Sequence, residues 1–163
     1  MAGKNTLTRL VSDIKGSPKP VFKYYSPYVV TYSKRTQGGL YLSANFKVSE
    51  FACKDGNDTV KIDLALVERL QAIRNHFGKA VVIVSGYRTP VYNRLIGGAP
   101  ASQHLYGCAA DISIAGISRS QIRAYANSIG LSCEIYNSDY PNTAGLTQHV
   151  DTRNIAYPGN FHE

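Results

Sequence analysis

His104 and Asp111 stand seven residues apart in the chain, and a further histidine, His149, follows late. Neutral imidazole and carboxylate form a donor set that Zn2+ accepts, and three protein ligands leave a fourth position for water or substrate, as a catalytic site requires. His104 sits in a polar loop rich in glycine, Gly97-Gly-Ala-Pro-Ala-Ser-Gln-His104-Leu-Tyr-Gly107, and Asp111 interrupts an apolar run. A carboxylate in such a run is costly to bury unless something compensates it, and a metal ion does so. By pattern alone, His104 could equally be a loop hydrogen-bonder and Asp111 a strand-end or capping residue.

These residues need elements to carry them. Asp63 is a start signal for a helix over 63–77, with apolar positions 64, 66, 67, 70, 73 and 77 on one side and Gly78 at its end. The β-branched run 80–84 predicts a buried strand that delivers Ser85-Gly-Tyr-Arg-Thr-Pro90, and Thr89-Pro90 opens another short helix. Residues 104–110 read as a turn or short helical segment, and 109–114 as a second buried strand containing Asp111. Ser118 can cap a helix over 119–129 that Gly130 stops. A brief strand at 133–136 and a last one at 146–152, carrying His149 and Asp151, complete the pattern.

Upstream, residues 7–14 read as one weak helical turn, and 21–42, rich in tyrosine and valine, as a hairpin around Gly38-Gly39 or an arm packed on the main body. Ser49 can cap a short helix at 48–51, and 55–58 make a turn. Helices mixed with short strands, without a βαβ rhythm, indicate an α+β fold. The division expected is an N-terminal arm over 1–42, partly extended, and one catalytic domain over 43–163.

With 163 residues, 44% of them hydrophobic and 18% charged, the chain can bury one real core and is not of disordered composition. The net charge of +7 favours an anionic partner. The basic residues are scattered and match no nucleic-acid module, so nucleic acid is not an expected partner. Three cysteines, Cys53, Cys108 and Cys133, without CxxC spacing, indicate neither a disulfide framework nor a thiolate zinc knuckle. No transmembrane segment and no signal peptide is recognisable, so synthesis in the cytoplasm is expected.

Other polar groups can complete a hydrolytic site. Arg88 offers a planar fork for a substrate carboxylate or for the oxyanion formed during attack, or it could bridge loop carbonyls or a carboxylate of the protein. Ser102 and Gln103 could donate to a substrate backbone or to a ligand, and Tyr87, Tyr92 and Tyr106 could form apolar walls. Hydrolysis also needs a carboxylate to accept and return a proton. Asp151, two residues beyond His149, shares its face on a regular strand and could orient a ligand or contact the water. Glu134 is the other candidate.

Taken together, Ser85-Gly-Tyr-Arg-Thr-Pro90 with Asn93, Gly97-Gly-Ala, Ser102-Gln-His104-Leu-Tyr-Gly107-Cys-Ala-Ala-Asp111 and His149-Val-Asp151 resemble the zinc peptidases of the D-alanyl-D-alanine carboxypeptidase group (peptidase M15-like), which includes wall-lytic endopeptidases and phage endolysins. The resemblance covers most of residues 46–155. It implies His104, Asp111 and His149 as zinc ligands and a small antiparallel sheet with flanking helices, as in hedgehog and DD-peptidase domains. It also implies hydrolysis of a peptide bond in bacterial peptidoglycan stem or cross-link peptides, at the cell wall, with phage or wall-associated proteins as partners. One departure stands out: in many relatives an acidic residue precedes the last histidine by three positions, and here that residue is Leu146. The alternative implied by that departure is a noncatalytic wall-binding or structural component.

Overall fold

The computed structural model describes residues 28–133 and 147–155. The helical turn expected at 7–14, most of the strand expected at 133–136, Glu134 and Leu146 lie outside the described residues. In chain order the elements are β1 (Val29–Ser33), α1 (Lys34–Gln37), a 3-10 turn (Val48–Phe51), β2 (Thr59–Asp63), α2 (Leu64–Phe77) and β3 (Val81–Ser85). They continue with α3 (Pro90–Leu95), a second 3-10 turn (Gln103–Tyr106), β4 (Ala109–Ile114), α4 (Arg119–Ser128) and β5 (Gln148–Asp151). Two antiparallel sheets result, β1-β2 and β3-β4-β5, so the fold is α+β as expected.

Helix α2 forms because Asp63 accepts a hydrogen bond from Ala65 N at 2.9 Å, and it stops because Gly78 takes a left-handed conformation, φ 62°. Its buried face, Leu66, Leu70 and Ile73, packs into one core with Phe46, Val48, Phe51, Val60 and Ile62. The three-stranded sheet contributes Ala110, Ile112, Ile114 and Val150 to that core. Strand β4 thus alternates: its even-numbered residues face the core, and Ala109, Asp111 and Ser113 face the other way. What looks in sequence like a uniformly apolar run is a strand with one face free to carry chemistry.

The hairpin expected within 21–42 does not form among the described residues. Strand β1 pairs with β2, Val29 opposite Asp63 and Ser33 opposite Thr59. Distant contacts fix that pairing: Ser33 Oγ donates to Asp58 Oδ2 at 2.8 Å and Arg35 N to Asp58 Oδ1 at 2.7 Å, while α1 follows β1 directly and Gly38-Gly39 turn the chain after it. Tyr28 is buried and Tyr32 packs against the core, so this part of the arm is built into the main body. The strand over 80–84, expected to be buried, is an edge strand among the described residues, paired there with β4 alone, and Val82 is 53% exposed. The short helix at 48–51 is a 3-10 turn, and Glu50 Oε1 accepts from Lys47 N at its start, without a cap from Ser49.

Candidate metal centre

The second 3-10 turn presents His104. Ser102 Oγ accepts from His104 N, and Gly107 closes the turn at φ 76°. A side chain at 107 would be strained by that conformation, and its Cβ would collide with the Lys61 carbonyl of β2. The glycine therefore lets the turn lie flat on β2 and feed straight into β4. Within the sheet, Ser85, Asp111 and His149 are direct cross-strand partners, one from each strand, so their side chains form a row on the face opposite the core. Asp151, two residues after His149, shares that face.

The row and the turn converge. Asp111 Oδ1 lies 3.3 Å from His104 Nε2 and 3.0 Å from His149 Nδ1, and one ligand atom from each of the three residues lies within 4.8 Å of the others. All three are buried. The opposite ring nitrogens are tied down: His104 Nδ1 is 2.7 Å from the Gly86 carbonyl, and His149 Nε2 is 2.9 Å from Asp151 Oδ2. A carbonyl only accepts, so His104 Nδ1 carries a hydrogen, and ionised Asp151 demands the same of His149 Nε2. In their neutral forms both rings then aim a lone pair at a carboxylate oxygen. Three acceptors in one buried spot require positive charge between them, from protons or from a metal ion.

The same residues fit a metal. Tetrahedral coordination at about 2.0–2.1 Å places donor atoms roughly 3.3 Å apart, close to the separations of 3.0 and 3.3 Å found here. Two imidazoles and one carboxylate suit Zn2+, and each histidine has the outer hydrogen bond that fixes a ligating tautomer. Electrostatics agree. Burial works against ionised Asp111, but hydrogen bonds and charge from His104 and His149 outweigh it and hold the carboxyl far below the usual range. Burial likewise opposes charge on His149, yet Asp111 and Asp151 raise it to about 9.

A family model described as Peptidase M15 matches residues 44–138, more than half of the chain. The chain belongs to the peptidase M15 family. The matched span includes His104, Asp111 and the Ser85–Thr89 segment, whereas His149 lies beyond it. No curated protein matches the chain.

In this M15 peptidase Arg88 borders the cluster: Nη2 donates to Asp111 Oδ2 at 2.8 Å and Nε to Ser85 Oγ at 3.0 Å. Its backbone N–H donates to the His104 carbonyl, and Tyr87 N donates to the Phe51 carbonyl, which fixes the segment on both sides. Of the two kinds of role open to Arg88, the geometry displays the one in which it grips a protein carboxylate. Tyr87 is a core residue, Tyr106 and Tyr92 are half-buried, and Ser102 caps the turn that carries His104. Gln103 is buried, and its Oε1 has no hydrogen-bond partner among the described residues.

Asp151 is wholly buried behind the His149 ring, on the side away from Asp111. Arg153, which sequence reasoning missed, grips both of its oxygens: Nε is 2.9 Å from each, and Nη2 is 2.7 Å from Oδ2. Burial opposes ionisation of Asp151, but hydrogen bonds from His149 and Arg153 outweigh it and lower its pKa. The available signal was spacing, since His149, Asp151 and Arg153 recur every second residue. His76, near the end of α2, stacks on Tyr125 with ring centroids 3.7 Å apart.

Proposed function

We propose that this M15 peptidase is zinc-dependent and hydrolyses a peptide bond in the stem or cross-link peptides of bacterial peptidoglycan, as a DD-carboxypeptidase or endopeptidase. The observation that carries the reading is the convergence of His104 Nε2, Asp111 Oδ1 and His149 Nδ1, three acceptor atoms held by outer hydrogen bonds in one buried place. A bound zinc ion would supply Lewis acidity toward the scissile carbonyl and make water a competent nucleophile near neutral pH.

The protein's own residues do the rest. Gly86 and Asp151 hold the two imidazoles in the tautomers that leave their inner nitrogens free. Arg88 fixes Asp111 by one oxygen, leaving the other toward the histidines, and brings a positive charge to the border of the site. With both oxygens occupied and its pKa lowered, Asp151 is poorly suited to hold a proton in transit, so its role is to orient His149. Glu134, the other carboxylate singled out from the sequence, is the remaining candidate for the proton acceptor.

The net charge of +7 supports accumulation on an acidic wall, where phage or wall-associated proteins would be the protein's neighbours. Leu146, in place of an acidic residue, supports a second reading in which the fold binds the wall without cutting it. One experiment separates them: measure zinc by elemental analysis, then incubate the protein with purified peptidoglycan and resolve the muropeptides. Loss of cross-linked dimers marks an endopeptidase, and release of free D-alanine marks a carboxypeptidase. Stoichiometric zinc with neither product would leave the binding reading.

A further inference from the structure

Asp63 has a second task besides starting α2. It is completely buried, and its neighbours belong to both segments that carry the metal-site residues. Its backbone N–H donates to the Gly107 carbonyl at 2.9 Å, at the turn between His104 and Asp111. Its carboxylate spans two elements: Oδ1 accepts from Ala65 N, and Oδ2 accepts from Thr152 Oγ1 at 2.6 Å. Thr152 directly follows Asp151, is itself buried, and donates its backbone N–H to the Cys108 carbonyl at 3.1 Å. One carboxylate therefore links the end of β2 and the start of α2 to the strand carrying His149 and Asp151, while the same residue's main chain holds the turn below His104.

We infer that Asp63 and Thr152 form a positioning pair that sets the separation between the His104 turn and the His149 strand, and thereby tunes metal affinity without touching the metal. The inference rests on the metal reading proposed above. The carboxylate is suited to the task because the 14-residue helix α2 presents its N-terminus to it, which favours the ionised form in a dry place. A short hydrogen bond from a hydroxyl to an ionised carboxylate is among the stronger and more directional links available. It joins residues 89 positions apart in sequence, so no local structure replaces it. Groups that orient metal ligands from outside typically change affinity by about 10–100-fold when removed, and a pair acting one step further out belongs near the lower end.

The test is zinc affinity by competition with a chromophoric chelator, for wild type, Thr152→Val and Thr152→Ser. It is run well below the melting temperature of each metal-free protein, so that global stability does not enter the result. Valine keeps the shape and removes the hydroxyl, and serine keeps the hydroxyl. The expected outcome is about tenfold weaker zinc binding for Thr152→Val and near wild-type binding for Thr152→Ser. Should Thr152→Val not fold without metal, Thr152→Ala, which also removes the hydroxyl and adds no bulk, takes its place with the same expectation. A lowered melting temperature with unchanged zinc affinity would mean a structural tie only and overturns the inference. If wild type takes up no zinc, the metal reading itself fails, and this inference with it.

Discussion

Raising the pH should tighten zinc binding until about pH 9 and then stop. In the metal-free protein burial disfavours charge on His149, but Asp111 and Asp151 outweigh burial and raise its pKa to about 9. A ligating imidazole must be neutral, so zinc displaces that proton, while Asp111 is already ionised throughout the range. With one proton displaced, affinity rises about tenfold per pH unit well below the pKa and levels off near it, so the gain between pH 7 and pH 9 is roughly 50-fold (about 2.3 kcal/mol). The metal-free fold should show the opposite trend. A folded pKa raised from 6.5 to about 9 contributes stability that is complete below pH 6.5 and is lost as the pH climbs through 9, up to about 3 kcal/mol. Calorimetric titration of zinc, buffered by a competing chelator, in buffers of differing ionisation enthalpy reads both affinity and proton release. Thermal melts of the metal-free protein supply the second arm. Zinc affinity that is flat from pH 7 to 9 without proton release, or metal-free stability that rises over this interval, would refute the reasoning.

Other expectations follow from individual contacts. Asp151→Asn removes the ionised partner of His149 Nε2, so at pH 9, where proton competition is weak, zinc should bind about 10–100-fold more weakly by chelator competition. Arg88→Lys keeps the charge but cannot hold Ser85 and Asp111 together; peptidoglycan turnover should fall at least about tenfold with zinc still bound, read by muropeptide analysis at saturating metal. Gly107→Ala introduces a Cβ at φ 76° against the Lys61 carbonyl, and chemical denaturation should show a loss of more than about 2 kcal/mol. His104→Ala should abolish stoichiometric zinc in elemental analysis.

Much of the site was legible because its residues are local signals. Asp111 in an apolar run, His104 before a glycine and the spacing of His149 and Asp151 each carry a chemical oddity visible without neighbours. Helix α2 was equally plain, since Asp63 and Gly78 mark its ends and its apolar stripe is regular. The partners of those residues were not legible. Arg88 meeting Asp111, Asp63 meeting Thr152 and β1 meeting β2 are all settled by tertiary packing between distant segments. Strand β2 was not expected: Val60-Lys61-Ile62 alternates, but five residues are too few for periodicity to outweigh the turn residues just before them.

Zinc-dependent cleavage of wall peptide is open to direct measurement. The most direct measurement is the product released from purified peptidoglycan by wild-type protein, by the same protein stripped with a chelator, and by stripped protein given one equivalent of zinc. The account predicts product in the first, none in the second and recovery in the third. Equal product before and after stripping, or no product from protein carrying a full equivalent of zinc, would contradict it.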